Sequence, residues 1–196
     1  MKRISMTLYK VLFTMLVSVL LLVACSKPHT PKPYGYFRIY MPPHTYHAFD
    51  DKTYPFRFHY SLSASIIKRE QAHELYWFDL NYPQFNAQVH CSYKAIQGNL
   101  KTLSEDAHRF VYKHSIKADG IGEQAFSNNE NRVFGILYDL KGNTASNLQF
   151  VLTDSSRHFL RGALYFDNVP NKDSIAPIAE YVREDMVHLM ETLRWK

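Results

Sequence analysis

Apolar and polar positions divide this 196-residue chain into three unlike stretches. Val11 to Ala24 is an apolar run interrupted only by Thr14 and Ser18, with Lys2, Arg3 and Lys10 ahead of it and no acid. Ser26 to Pro33 is polar and carries prolines at 28, 31 and 33. From Tyr36 onward apolar residues recur at every second residue or at every third to fourth, the periods of half-buried strands and amphipathic helices.

Read in order, Tyr36–Tyr40 alternates as a first strand and Pro42-Pro43 ends it. Residues 44–53 are polar and contain histidine, the pattern of a loop. In Phe56-Arg-Phe-His-Tyr60 the rings of Phe56, Phe58 and Tyr60 share one side, toward a core. Ala64–Lys68 is a short strand, and Leu75–Leu80 and Ala87–Tyr93 flank Asn81–Asn86 as a hairpin. Leu100, Leu103, Ala107, Phe110, Val111 and His114 fall at helical spacing, with Asn99 placed to cap the helix. A turn is expected near Asp119-Gly120-Ile121-Gly122, and strands resume at Val133–Leu140, which is apolar on both faces like a central strand. Lys141–Thr144 reads as a hairpin turn, followed by strands Leu148–Thr153 and His158–Phe166. A last helix, capped by Asp173 or Ser174 and with Pro177 in its first turn, runs to about Leu193. Ile178, Val182, Met186, Leu189 and Leu193 form its buried stripe. Strands joined by short turns, with the helices set apart, predict an α+β domain: a mainly antiparallel sheet with two longer helices.

The apolar run near the start is fourteen residues long. A bilayer core about 30 Å thick needs roughly 20 apolar residues in a helix, so the run is short for a permanent span. A basic start, a short apolar run and small residues at its exit describe a secretory signal peptide. Leu22-Val23-Ala24-Cys25 resembles a lipobox, the cleavage and lipidation signal of bacterial lipoproteins. That resemblance implies cleavage before Cys25 and a diacylglyceryl group on its thiol. Two or three acyl chains hold a membrane stably where one does not. The alternative is an uncleaved signal anchor with an incidental cysteine. The proline-containing segment favours extended polyproline II at about 3.1 Å per residue, a spacer between lipid and domain. By the sorting rule of bacterial lipoproteins, Ser26 rather than Asp favours the inner leaflet of the outer membrane. The expected organisation is a signal peptide (1–24), a lipidated cysteine with its tether (25–35) and one periplasmic domain (36–196).

Charge changes little in this picture. Without residues 1–24 the chain keeps 20 basic and 18 acidic side chains, a balance that offers nucleic acid no basic surface. With Cys25 lipidated, Cys91 stands alone and an intrachain disulfide is excluded. Ala87, Val89, Cys91 and Tyr93 share an apolar strand face, so Cys91 reads as a buried, inert thiol.

Catalytic signatures do not emerge. The sequence has no Gly-x-Ser-x-Gly elbow, phosphate loop, His-Glu-x-x-His or dinucleotide fingerprint. His44, His47 and His59 with Asp50 and Asp51 could supply metal ligands, yet their spacing fits no ligand pattern, and solvated loop histidines are the preferred reading. Neither a metal nor a cofactor is expected. Lys113, His114, Lys117 and Asp119 form the densest polar cluster: a base–acid pair, a partner surface, or a helix end answering its dipole, the last being the preferred structural reading. Arg57 and His59, and Gln88, His90 and Lys94, lie on the polar sides of their strands and could line a groove.

The chain resembles the gliding-motility lipoprotein family GldD. The resemblance runs through Pro33–Ile39, Trp77–Pro83, Val111–Asp119, Gly135–Asp139, Gly142–Ser146, His158–Phe166 and Met190–Trp195. It implies a cell-envelope lipoprotein needed for gliding and linked to type IX secretion, and it transfers no catalytic residue. The occurrence of members in non-gliding relatives favours the secretion role. The order of elements is also similar to the Mog1/PsbP-like α/β sandwich. Three functions follow for comparison: an accessory lipoprotein that binds other envelope proteins, a periplasmic hydrolase or metal-dependent enzyme using the His-rich loop, and a small-ligand or glycan-binding module using Tyr34, Tyr36 and Trp77. The first is the leading expectation.

Overall fold

The computed structural model describes residues 2–23, 38–71, 74–114, 118–167 and 172–196. The chain divides into two compact units, residues 1–37 and 38–196. In the first, Lys2–Val23 is a single α-helix, α1, in which the Thr14 hydroxyl donates back to the Lys10 and Val11 carbonyls. Among the described residues no helix is long and apolar enough to cross a membrane. Cys25, the tether, Tyr34 and Tyr36 lie outside the described residues.

The second unit is α+β. Its main sheet has seven strands: β3 (Ser65–Gln71), β4 (Glu74–Tyr82), β5 (Ala87–Ala95), β6 (Ala118–Asn128), β7 (Val133–Gly142), β8 (Leu148–Thr153) and β9 (His158–Phe166). They lie in the order β3-β4-β5-β9-β8-β7-β6, every pairing antiparallel. A smaller sheet joins β1 (Tyr46–Phe49) and β10 (Arg194–Trp195) to the two sides of β2 (Phe56–Ser61). Helix α2 (Leu100–His114) connects β5 to β6, and α3 (Lys172–Thr192) precedes β10.

Alternation along each strand gives the main sheet two faces. On the first, Phe78, Leu80, Tyr82, Val89, Cys91, Phe150, Leu160 and Leu164 meet Phe56 and Phe58 of β2 and the Ile178, Val182, Met186, Leu189 stripe of α3 in one core. Fully burying a side chain of this size contributes about 1.5–3 kcal/mol. On the second face, Val111 of α2 packs on Tyr138 and Leu140, and the helix also meets β9. The first face is therefore covered over its central strands but open at β6, where Gly122 and Gln124 are exposed, and α2 covers only part of the second.

Several expectations change. Arg38–Tyr40 forms no strand; the first is Tyr46–Phe49, inside the expected loop, where β2 supplies its pairing partner. The expected turn at Asp119–Gly122 lies within β6: the register shifts between Ala118 and Gly120, and such a bulge at a sheet edge accommodates glycine. The strand read as central, β7, is second from the edge, and its two apolar faces meet α3 and α2. Asn99 precedes α2 but turns its side-chain oxygen back to the Gln97 N–H, at 2.9 Å. Phe110 is 47% exposed because α2 buries only Ala107 and Val111 deeply. Pro177 stands in the second turn of α3, since the helix already includes Lys172.

Candidate functional site

A polar belt crosses the second face. Strand register sets Asp79 opposite His90, His90 opposite Ala163, Ala163 opposite Gln149, Gln149 opposite Tyr138 and Tyr138 opposite Glu123. Because side chains alternate, these residues of six neighbouring strands project to the same side. Asp79, Gln149 and Tyr138 are buried at 2%, 1% and 4% exposure, which is unusual for groups so polar unless they are paired.

Asp79 is well satisfied. Its carboxylate accepts from Arg69 Nε, from Gln88 Nε2 at 3.1 Å and from His90 Nδ1 at 2.7 Å. Donation from His90 Nδ1 leaves the lone pair of the neutral ring on Nε2. An oriented histidine is half of a general-base pair. Arg69 Nη2 lies 3.3 Å from the same ring nitrogen, and the Tyr165 ring is 5.2 Å from the imidazole. Cys91 faces the opposite side, in the core, and burial pushes its thiol pKa up, which holds it protonated.

Next to this cluster lies a cavity of about 300 Å³ between Trp77, Ser92, Arg161 and Tyr165, with Ala163 as a small residue in its wall. A bulge at the start of β4 shapes one side: the register shifts between Arg69 and Gln71, and Tyr76 takes a positive φ of 66°. Such a conformation is costly for an aromatic residue. The rings of Tyr54 and Tyr93, each 5.6 Å away, hold it. Just beyond the β4–β5 ladder the Trp77 indole donates to the Tyr93 carbonyl at 3.1 Å. Arg161 donates through Nη2 to Gln149 Oε1 at 2.7 Å and lies 5.0 Å from the Phe110 ring centroid. Burial lowers its pKa, with Tyr165 acting in the opposite direction.

A second polar cluster sits on α3. Asp185, whose side chain is wholly buried, accepts from His44 Nδ1 at 2.7 Å and from the Tyr82 hydroxyl at 3.1 Å. His44 Nε2 lies 2.9 Å from Glu184, and its ring stacks on Tyr181 at 4.3 Å. Tyr46 stacks on His188 at 3.6 Å, and burial, helped by Asp185, pushes the Tyr46 pKa up to about 12. His44 is thus no solvated loop residue but the latch that ties the segment before β1 to α3.

The other members of the expected His-rich group scatter. His47 lies on β1 beside Tyr60, His59 lies on β2 near His188, Asp50 pairs with Lys196 at 2.8 Å, and Asp51 pairs with Lys68. Among the described residues no group of three or more His, Cys, Asp or Glu could hold a metal ion. Of the candidate partner surface, Lys113 is exposed near the end of α2 and Asp119 is exposed on β6. The His114 side chain and Lys117 lie outside the described residues. Of the expected groove residues, His90 lines the cavity, while Arg57 and His59 border a separate hollow of about 250 Å³. Asp79, Arg161 and Asp185 escaped sequence reasoning; the signal available was their place in strongly patterned strands and a helix.

The model of the gliding motility lipoprotein GldD family matches residues 26–195. The chain belongs to the GldD family. Its fold is similar to the solution structure of cyanobacterial PsbP (CyanoP) from Synechocystis sp. PCC 6803, at 11% identity and a TM-score of 0.49 over 84% of this chain and 100% of that one. Among curated proteins none matches. As a GldD-family lipoprotein the chain is a component of the cell envelope, and the match takes in the tether, both polar clusters and the C-terminal strand.

Proposed function

We propose that this lipoprotein is held by acyl chains on Cys25 at the inner leaflet of the outer membrane, and that its domain docks other envelope proteins of the gliding and type IX secretion machinery without catalysing a reaction. The observation that carries the reading is the family match over residues 26–195, which begins at the residue after Cys25. The docking surface we assign is the end of α2 and the segment after it: Lys113, His114, Lys117 and Asp119. Exposed Phe110 and Tyr112 on the same helix support it, because aromatic residues are enriched at protein interfaces. Asp119 also borders a groove of about 640 Å³ with Asp139, Lys141 and Arg183.

Reversing Lys113→Glu and Lys117→Glu tests this. Exposed charges contribute about 0–1 kcal/mol to stability, whereas like charges facing each other across an interface cost several kcal/mol. The double variant is expected at normal abundance in the membrane fraction, with loss of crosslinked co-purification and of secretion. Normal partner recovery and secretion would remove this surface from consideration. For the anchor, Cys25→Ala is expected to release the protein or leave its precursor; normal cleavage with retention at the outer membrane would contradict lipid anchoring.

A further inference from the structure

The outer strands of the two sheets differ in how they are guarded. β3 carries Lys68 and Arg69 and breaks register between Arg69 and Gln71. Cations and bulges of this kind keep a foreign strand from adding to an edge. In the small sheet the outer strands β1 and β10 are only four and two residues long. β6 lacks these devices beyond its first residues. From Gly120 to Asn128 it follows β7 in unbroken register, and it contains no lysine, arginine or proline. Among the described residues no strand pairs with its other side over that length.

The ladder fixes which backbone groups face outward. The Leu140 N–H donates to the Asn147 carbonyl, toward β8, at 2.8 Å. Backbone groups of successive strand residues point to opposite sides in the plane of the sheet, so Leu140, Tyr138 and Ile136 face β8 while Asp139 and Leu137 face β6. Opposite the first three stand Ile121, Glu123 and Ala125 of β6. The N–H and C=O groups of these β6 residues therefore point away from the sheet. On the open first face the edge borders the groove of about 640 Å³, where Asp119, Asp139, Asp173 and Glu180 stand against only Lys141 and Arg183. A Cβ at Gly120 would meet no atom within 4 Å, and one at Gly122 would meet only Asp139, so side chains leave the approach clear.

We propose that β6 accepts an extended segment of a partner protein, bearing lysine or arginine, as a further strand of the main sheet. Main-chain hydrogen bonds to Ile121, Glu123 and Ala125 hold the segment, and its alternate side chains fall over the groove, where cations meet the acidic lining. A second copy of this chain fits poorly, because β6 beside β6 sets two strands together whose charges, Asp119 and Glu123, are all acidic. The proposal rests on the docking surface at the end of α2, which β6 follows in the chain, and names the kind of partner that surface takes.

The probe is a capped hexapeptide of alternating lysine and valine, added to the mature lipidated chain in a non-ionic detergent and followed by NMR. It should protect the Ile121, Glu123 and Ala125 amides from hydrogen exchange, whereas those of Gly122 and Gln124 are already protected by β7. The peptide with glutamate in place of lysine should bind at least about tenfold more weakly. So should a copy N-methylated at two successive central residues, which blocks both of its edges, again by about tenfold or more. Ala125→Pro removes an outward donor and spares the β7 ladder, and it should weaken binding by a similar factor. If that variant fails to fold, the N-methylated peptide makes the same test from the other strand. Strand addition is overturned if the three amides stay unprotected or if the N-methylated peptide binds as tightly as its parent. Equal binding of the glutamate peptide overturns the basic partner, and dimers of the mature chain that Ala125→Pro dissolves would seat a second copy on β6 instead. An adduct crosslinked from the end of α2 in cells, with no protection of β6 by the peptide, would remove strand addition alone and leave the docking surface standing.

Discussion

Removing the imidazole of His44 should unlatch the segment that leads into the domain. Asp185 is wholly buried and its two oxygens are held by His44 and by the Tyr82 hydroxyl, 141 and 103 residues away in sequence. His44→Leu would leave a buried carboxylate held only by the tyrosine hydroxyls of Tyr82 and Tyr46. Breaking a buried pair in this way costs about 3–5 kcal/mol. Since the His44 side chain is 27% exposed, water can reach part of the site, and the lower end of that range applies. Asp185→Asn keeps the shape and an acceptor for Tyr82 but loses the charge-assisted bond, a cost of about 1.5–3 kcal/mol. Combining them should cost less than the sum by about 1–3 kcal/mol, because neither variant leaves the other's charge stranded. Urea unfolding of the mature chain measures all three. Limited proteolysis supplies a second readout, with new cleavage between Arg38 and Thr45 in His44→Leu. A loss below about 1 kcal/mol in His44→Leu, or strict additivity of the pair, would refute the latch.

Three further outcomes follow from packing and burial. A Cβ at residue 162 would stand 2.2 Å from the Phe150 ring, so Gly162→Ala should lose about 1–3 kcal/mol in thermal or urea unfolding; an unchanged midpoint would contradict the packing. Cys91→Ser puts a hydroxyl among buried apolar residues at 3% exposure and should cost about 1–3 kcal/mol while sparing secretion, and the folded wild-type thiol should resist thiol reagents. Burial, with His59 nearby, lowers the His188 pKa, and burial lowers that of His158. The unfolded chain therefore takes up these protons first as pH falls through about 6.5, so stability drops through that window and levels off below the folded values. His188→Gln should flatten the drop between about pH 7 and 5, measured by urea midpoints; an equal slope in both proteins would rule His188 out.

Much of the fold was legible because burial follows period. The stripe of α3 and the alternating face of β5 are both buried as the pattern implies, for each is set by local spacing alone. Register and long-range pairing are not local. His44 stands among prolines and polar residues and reads as solvated, yet its partner lies on the last helix. Gln88 and His90 could be placed on a polar strand face, but not beside Asp79, because strand neighbours are settled by the sheet and not by the sequence order. Arg161 lies in a strand whose other residues are mostly apolar, and its bond to Gln149 follows only from the sheet setting Gln149 opposite the next residue but one. β1 escaped because Tyr46-His-Ala-Phe49 has no clean alternation; pairing with β2 forms it.

Docking of an envelope partner at the end of α2 can be read in living cells by photo-crosslinking from a reactive residue placed at position 113. The same probe at position 67 of β3, a site that is also exposed, serves as the comparison. Docking there yields a discrete adduct with another envelope protein from position 113, absent from position 67 and lost when Lys117→Glu is added. Equal adducts from both positions, or none from position 113 in a strain that secretes normally, would contradict it.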